Sequence, residues 1–384
     1  MHRLQDSVFK ILQILVMKLH PKRVLVGMSG GIDSSVAACL LHEQGYEVIG
    51  ITIKTYRYED IGGNVGNDST CCSLDGINDA RRVCNALGIP HYVVDWSDTF
   101  KEEIIDYFVE DYLAGNTPNP CVKCNRTIKW GEMIKKANVL GAQWIATGHY
   151  AEISYNQHTD RYHLKRDTNN RKDQTYALWG LKQEHLSRTI FPLTGFTKEQ
   201  SRAEAERFNL GIEKKPESYE ICFIPDNDYK RFIHDMVPNL EDISGSGPIL
   251  LHGKEIGQHT GYHGYTVGQR KGLGISYPEP LYVLNVLADT NTVEVGTDAD
   301  LLSHELIAGN VNFISCKSLN KPELFTVKIR YKDDGALAMC SLQDDGKLHV
   351  VFQEPRRAIT PGQSIVLYHE NDVVGGGIIE RINS

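Results

Sequence analysis

The chain has 384 residues, enough for two or three domains with full hydrophobic cores. Its net charge of −8 excludes a generally basic, non-specific nucleic-acid binder and leaves room only for local basic patches. The longest apolar runs fall far short of a membrane span, and the nine cysteines form no regular framework, so a reduced compartment is expected rather than a disulfide-built secreted domain.

The first twenty residues place Val8, Ile11, Leu12, Ile14, Leu15 and Leu19 at helical spacing. Asp6 and the polar interruptions exclude a signal peptide, and sparse arginine speaks against a mitochondrial presequence. A docked or dimerising helix is expected, and the absence of a targeting signal points to a cytoplasmic protein. The next stretch, Val24-Leu25-Val26-Gly27-Met28-Ser29-Gly30-Gly31-Ile32-Asp33-Ser34-Ser35, organises the rest. A short β-branched run, a glycine-rich turn and an apolar helical stretch read as strand, tight loop and helix N-terminus. Gly30 and Gly31 let backbone N–H groups approach an anion, and the helix dipole favours negative charge there. Ser29, Ser34 and Ser35 add hydroxyls. Asp33 is expected to cap the helix and to help hold a magnesium ion through water. The lysine of the common G-x-x-x-x-G-K-[ST] phosphate loop is missing.

Strands are predicted over Glu47 to Ile53, Tyr92 to Trp96 and Trp144 to Thr147, alternating with helices over Leu74 to Leu87, Phe100 to Leu113 and Asn125 to Leu140. This alternation implies a doubly wound, parallel α/β sheet with the loops of interest along one edge. Ile51 to Ile53 and Ala146-Thr147-Gly148 are expected to end neighbouring strands and to wall an adenine. Tyr56 to Cys72, polar and glycine-rich, reads as a mobile loop ending in Cys71 and Cys72. From Ile153 to Trp179 the chain is strand-like and basic, as in a solvated hairpin or a phosphate-contacting patch. Helices follow over Lys198 to Asn209 and Asp226 to Val237. After about Gly245 short alternating runs predominate: Tyr282 to Leu287, Thr292 to Val295, Phe325 to Tyr331, Ala336 to Leu342, Leu348 to Phe352 and Ser364 to His369. They read as a small central domain and then a compact β-barrel. The expected division is 1–20, 21–225, 226–305 and 306–384.

The S-G-G-x-D-S-S string after the first strand resembles the pyrophosphate loop of the N-type ATP pyrophosphatases, which cleave ATP between its α and β phosphates to form adenylates. A second constellation is Thr117-Pro118-Asn119-Pro120-Cys121-Val122-Lys123-Cys124-Asn125, a C-x-x-C after an extended lead-in and before a helix, where a thiol gains nucleophilicity. Cys222 lies about a hundred residues on, in Ile221-Cys222-Phe223-Ile224. Taken singly, these cysteines also read as core, half a zinc site or a redox pair.

Together the motifs resemble the tRNA-specific 2-thiouridylases. Ala146-Thr147-Gly148-His149-Tyr150, Lys172-Asp173-Gln174, Tyr265 to Gly274, Arg330-Tyr331 and Thr360-Pro361-Gly362-Gln363 follow in family order over nearly the whole chain. The resemblance implies sulfur transfer to the 2-position of the wobble uridine in tRNAs for Glu, Gln and Lys, after ATP adenylates the uracil 2-oxygen. It implies that Gly27, Met28, Ser29, Gly30, Gly31, Ile32, Asp33, Ser34, Ile53 and Gly148 hold ATP with Mg2+, and that Cys222 carries a persulfide that Cys124 resolves as a disulfide. Asn119, Pro120 and Cys121 would meet the target base, and His149, Lys172, Asp173, Gln174, Arg330, Tyr331 and Gln363 the tRNA. A sulfur-donor protein, such as a cysteine desulfurase or sulfur relay protein, is implied as a partner, and no membrane.

Three departures stand out: Cys121 where many members have Asp, Tyr219-Glu220 before the Ile-Cys pair, and Ile53 where Met is common. They open an alternative in which Cys121, Cys124 and Cys222 ligate a 4Fe-4S cluster that binds sulfide at its fourth iron. Other pyrophosphate-loop enzymes, such as a lysidine synthetase or an amidotransferase-linked ligase, would need no catalytic cysteines. A non-catalytic RNA-binding protein would not need the complete loop.

Overall fold

Contiguous aliphatic runs suit strands covered on both faces, and the first strands of this chain are of that kind. The structure, a computed structural model, describes residues 19–57, 74–167, 172–213, 215 and 221–381. The expected N-terminal helix, Tyr58 to Cys72 of the expected mobile loop, Arg171 and the Tyr219-Glu220 departure lie outside these residues.

Five strands form the first sheet: β1 (His20–Gly27), β2 (Glu47–Lys54), β3 (His91–Asp95), β4 (Ala142–Ala146) and, after a hairpin described below, β7 (Thr189–Ile190). Their order is β3-β2-β1-β4-β7, and every pairing is parallel. Strand alternation sends Leu25, Ile49, Ile51 and Ile145 to one face and Val24, Val26, Val48 and Ala146 to the other. On the second face pack α1 (Ile32–Glu43), α2 (Leu74–Leu87) and α5 (Lys198–Arg207), through Val36, Leu41, Ala80, Val83 and Ala205. Helices α3 (residues 97–113) and α4 (residues 120–139) each contain a widened π-type segment, Lys101–Ile105 and Asn125–Glu132. Helix α4 starts five residues earlier than expected, at Pro120, because proline fits the first helical position, where no N–H partner is needed.

The connection from β1 to β2 and β3 runs one way across the sheet, and β4 lies on the other side of β1. β1 therefore separates β2 from β4, so the expectation that Ile53 and Gly148 end neighbouring strands is corrected: they flank β1. The direction change makes a crevice at the strand C-termini between β1 and β4, where α/β sheets of this class bind ligands.

The basic stretch is not simply solvated. Strands β5 (Glu152–Asn156) and β6 (Arg161–Lys165) form a hairpin whose β6 pairs with the last strand of the barrel at Lys165 and Asp372. His163, nearly buried, meets Asp372 at 2.9 Å. Tyr176, Leu178, Trp179 and Leu181 then enter one core with Trp130 of α4 and Val366, Tyr368 and Val373 of the barrel. The first and third units thus share an apolar seam, which a reading of charge alone does not reveal.

Helices α6 (Tyr229–Met236) and α7 (Leu240–Ser244) follow; Asp228 caps α6 by accepting from the Arg231 N–H. Phe232, Ile233 and Leu240 pack with Phe100, Phe108 and Phe223 of the first unit. The central sheet has the order β10-β11-β8-β9, with β8 (Gly247–Leu251), β9 (Lys254–His259), β10 (Tyr282–Leu287) and β11 (Thr292–Gly296). Strands β8 and β9 escape the sequence reading because the first is short and the second, Lys-Glu-Ile-Gly-Gln-His, is polar.

Six strands close the barrel: β12 (Leu302–Phe313), β13 (Glu323–Lys328), β14 (Ala336–Leu342), β15 (Leu348–Arg357), β16 (Ser364–His369) and β17 (Asp372–Ile379), with β12 pairing to both β15 and β17. Strand β13 ends at Lys328, so Arg330 and Tyr331 lie in the following turn rather than within the strand. β17 hides behind three glycines. A Cβ on Gly376 would stand 2.7 Å from the Trp179 ring, so that glycine lets the indole lie against the strand. Among the described residues, no helix is long and apolar enough to cross a membrane.

His91, His149, His185, His259 and His263 all have their pKa lowered from 6.5, chiefly by burial. Below that pH the unfolded chain binds protons that the folded one refuses. Stability from these groups is therefore complete above pH 6.5 and lost as the pH falls through it. The melting temperature should drop between pH 7 and pH 5.5 in thermal scans; a flat curve would contradict this.

Candidate active site

The anion loop joins β1 to α1. Met28 donates its N–H to the Ile51 carbonyl at 2.7 Å, and its own carbonyl accepts from the Thr52 hydroxyl at 2.8 Å. The same hydroxyl meets His91 Nε2 at 2.8 Å, so β2 and β3 together anchor the loop's first residue. Gly30 has φ +72° and lies so close to α2 that a Cβ would stand 2.1 Å from the Gly76 carbonyl oxygen. Only glycine suits both that backbone angle and that approach. Ser34 Oγ lies 3.2 Å from Ser29 Oγ and donates to the Gly31 carbonyl at 3.2 Å, while Ser35 Oγ donates to the same carbonyl at 2.9 Å.

Gly31, not Asp33, is the N-cap of α1, and no side chain caps the helix. This corrects the sequence expectation. Asp33 turns away because Tyr150 OH and Lys198 Nζ both donate to its Oδ1 at 2.6 Å. Tyr150 OH also meets Ser201 Oγ at 2.9 Å. Lys198 is nearly buried, so its charge is compensated by this pairing. Burial, with Asp33 beside it, raises the Tyr150 hydroxyl far above the usual phenol range and keeps it a donor. The uncapped N–H groups of the first turn are what an anion would meet.

Gly148 closes the other side of the crevice. A Cβ there would stand 2.5 Å from the Asp33 carbonyl carbon and 2.6 Å from the Ser34 nitrogen. Next to it, His149 Nδ1 meets the Thr147 hydroxyl at 2.8 Å, and its ring lies 5.5 Å from Trp130 and 6.2 Å from Phe191. Desolvation, with Lys129 adding repulsion, pushes its pKa well down, so this imidazole is neutral at physiological pH. Gln174 Oε1 accepts from the Tyr150 N–H at 3.0 Å and the Gln174 N–H donates back to the Tyr150 carbonyl at 3.1 Å. The Lys172-Asp173-Gln174 segment is thereby tied to the loop that follows β4. Asp173, half-buried and with its pKa raised by desolvation, accepts from Thr175 and lies 3.8 Å from Arg166. Tyr331 from the barrel lies beside the residues that follow this segment, its ring 6.2 Å from Tyr176. Arg330 Nη1 donates to the Arg357 carbonyl at 3.3 Å.

The cysteine helix begins with Asn119 as N-cap and Pro120 behind it. Cys121 is exposed and Cys124 half-buried. Asn125 Nδ2 donates to the Ala177 carbonyl at 2.9 Å. Cys222 is also half-buried; its carbonyl accepts from Tyr56 OH at 3.1 Å. Phe223 anchors it, with ring centroids 5.7 Å from Phe100, 5.3 Å from Phe108 and 5.4 Å from Phe232. Cys124, Cys222 and Ile53 all border this one apolar cluster. The described His, Cys, Asp and Glu side chains form no group of three or more placed to hold a metal ion, so Cys121, Cys124 and Cys222 do not make a ready three-thiolate site.

The lead-in to the cysteine helix is held by both later units. Tyr262 OH donates to the Leu113 carbonyl at 2.7 Å. Arg381 Nη2 donates to the Gly115 carbonyl at 3.2 Å and to the Val286 carbonyl at 2.6 Å, joining all three units. The Thr117 N–H donates to the Pro361 carbonyl at 2.9 Å, and Gln363 Nε2 donates to the carbonyls of Thr117 at 2.8 Å and Pro118 at 3.4 Å. Gly362, at φ +89°, leaves the space for this approach. The Gln363→Ala protein should alkylate faster at Cys121, because Asn119-Pro120-Cys121 loses its support; equal rates in an iodoacetamide time course would refute this.

Sequence reasoning missed Lys198, Ser201, Tyr262 and Arg381. Each acts through one or two contacts distant in sequence, and none stands in a motif.

Residues 22–226 match the tRNA methyl transferase HUP domain, residues 231–297 the tRNA methyl transferase PRC-barrel domain and residues 303–379 the aminomethyltransferase beta-barrel domain. The chain is similar to the tRNA-specific 2-thiouridylase MnmA of Salinibacter ruber, at 48% identity over 94% of each chain. It is 49% identical to tRNA-specific 2-thiouridylase MnmA 1 of Caldanaerobacter subterraneus subsp. tengcongensis, over 94% of this chain and 98% of that one. It is 44% identical to the Clostridioides difficile protein of the same name, again over 94% and 98%.

Proposed function

The chain belongs to the tRNA-specific 2-thiouridylase family, and on that premise we propose that it transfers sulfur to the 2-position of the wobble uridine in tRNAs for Glu, Gln and Lys, driven by ATP. The observation that carries this reading is the common border of Cys124, Cys222 and Ile53 on one apolar cluster.

The phosphates of ATP lie on Gly27 to Ser34, and Ile53 and Gly148 flank the adenine. A Cβ at Gly148 would run into the backbone of Asp33 and Ser34, so this glycine lets the loop after β4 lie against the start of α1. Asp33, whose Oδ1 already accepts from Tyr150 and Lys198, would hold a magnesium ion through water rather than ligate it directly. That ion, when bound, would supply neutralisation of phosphate charge. Asn119, Pro120 and Cys121 meet the target base, flipped out of its stack. His149, Lys172, Asp173, Gln174, Arg330, Tyr331 and Gln363 form the tRNA-facing patch, in which Gln174 and Gln363 also hold backbone in place.

The uracil 2-oxygen attacks the α-phosphorus. The bond to the bridging oxygen breaks, pyrophosphate leaves with the electron pair, and the N3 proton goes to solvent. The terminal sulfur of a Cys222 persulfide then adds to C2, and AMP leaves with the carbon–oxygen pair. Cys124 thiolate attacks Sγ of Cys222; the sulfur–sulfur pair moves onto the sulfur at C2. The products are 2-thiouridine and a Cys124–Cys222 disulfide. A dithiol reductant and a sulfur-donor protein, such as a cysteine desulfurase or sulfur relay protein, restore the persulfide. Among the described residues Cys121, Cys124 and Cys222 form no three-thiolate group, which supports this route over a 4Fe-4S cluster. This chemistry belongs in the cytoplasm, where tRNA, ATP and reductant meet, and calls for no membrane. Incubation with ATP, a persulfide source and unmodified tRNA should yield 2-thiouridine by nucleoside mass spectrometry; its absence would sink the reading.

A further inference from the structure

We propose that Lys215 is a catalytic residue of the adenylation step, its ammonium neutralising the pyrophosphate as it leaves; this rests on the sulfurtransferase reading above. Lys215 Nζ donates to the carbonyl of Gly30, in the middle of the anion loop, at 3.2 Å. It is held there by Asp79 of α2, whose Oδ2 lies 2.8 Å away. The same helix brings Gly76 against Gly30, so loop, helix and ammonium form one assembly.

A cation that touches a carbonyl of an anion loop stands within reach of any phosphate on that loop's N–H groups. The loop itself lacks the lysine of the common phosphate-binding motif, so the positive charge must come from elsewhere. Among the described residues, two lysine–carboxylate pairs border it. In the first, Lys198 is nearly buried and bound to Asp33 within the loop, and serves to orient that carboxylate. In the second, Lys215 is more open, with 29% of its side chain exposed. A flexible stem carrying a compact charge can swing from a carbonyl to a phosphate oxygen without rebuilding the site. As the bond from the α-phosphorus to the bridging oxygen breaks, negative charge gathers on the departing pyrophosphate, which is where such a charge helps most.

The competing role is a tether between the segment that precedes Cys222 and α2. A tether is cut equally by Lys215→Met and Asp79→Asn, whereas a phosphate ligand is lost only in the first. The experiment is single-turnover release of labelled pyrophosphate from ATP by the full chain with unmodified tRNA. Filter retention of tRNA and intact-mass measurement of persulfide on Cys222 run alongside. Lys215→Met should lower the release rate by about 100-fold, with tRNA retention and persulfide loading unchanged. Lys215→Arg should recover part of the rate. Asp79→Asn should lose about fivefold, seen mainly in KM for ATP. Release by Lys215→Met within twofold of the parent, equal losses in both variants, or loss of tRNA retention would each overturn the role. If the parent protein itself releases no pyrophosphate with tRNA, the adenylation reading fails instead.

Discussion

A Cys222→Ser protein will release pyrophosphate from ATP in the presence of unmodified tRNA and yet form no 2-thiouridine. Adenylation needs the anion loop and the base, neither of which the substitution touches, while a serine hydroxyl cannot carry a terminal sulfur. The loss in thiolation should exceed about 1,000-fold, the scale seen when an essential nucleophile is removed. Stability should change little, since Cys222 is only half-buried and it is its neighbour Phe223 that fills the core. The partner experiment is Cys124→Ser. Without the resolving thiol, and with no added thiol, the reaction should stop at a tRNA joined through a disulfide to Cys222. That species would run as a slow band on a denaturing gel and vanish on reduction. Wild-type levels of 2-thiouridine from Cys222→Ser would refute the persulfide assignment.

Gly148→Ala should be nearly as damaging by a different route. The added methyl would meet the backbone of Asp33 and Ser34 at 2.5 and 2.6 Å, and backbone cannot rotate aside. The loop after β4 and the start of α1 must separate by several tenths of an ångström. That shift disturbs the first helical turn and the Asp33 contacts with Tyr150 and Lys198. Overpacking of this kind costs about 1–3 kcal/mol in stability. The larger effect falls on ATP, because an ångström of misplacement at the phosphates costs on the order of 100-fold in rate. Pyrophosphate release should fall by that amount, with KM for ATP raised; an unaltered rate would show that the crevice between β1 and β4 does not hold the nucleotide.

Much of the first unit was legible because its signals are local. Helix Leu74–Leu87 was read to the residue, and Val24 to Val26 were recognisable as a buried strand from β-branched residues ending in glycine. Other elements hid for physical reasons. β17 carries three glycines that propensity counts against a strand, yet Gly376 is where Trp179 packs. β9 has few apolar side chains to alternate. Arg330 and Tyr331 read as the end of a strand, but β13 stops three residues before Tyr331, at Lys328.

The candidate site divides in the same way. Ser29 to Ser35, Asn119 to Cys124 and Cys222 stand out in the linear chain because glycine conformations, a proline at a helix start and thiol chemistry are properties of the residues themselves. Local rules offer Asp33 as a cap, and the structure puts Gly31 there. The Asp33 partners, Tyr150 and Lys198, lie more than a hundred positions away, and no local rule brings them there. The sequence by itself determined the kinds of chemistry available: an anion loop, paired thiols and a run of family motifs. Only the tertiary structure decided which of these meet. β4 lies beside β1 because of the sheet order, the lead-in to Cys121 is held by Tyr262, Arg381 and Gln363 from later units, and Lys215 rests on the loop through Asp79. The reason is that contacts between distant residues depend on the path of the whole backbone, which no single stretch of side chains encodes.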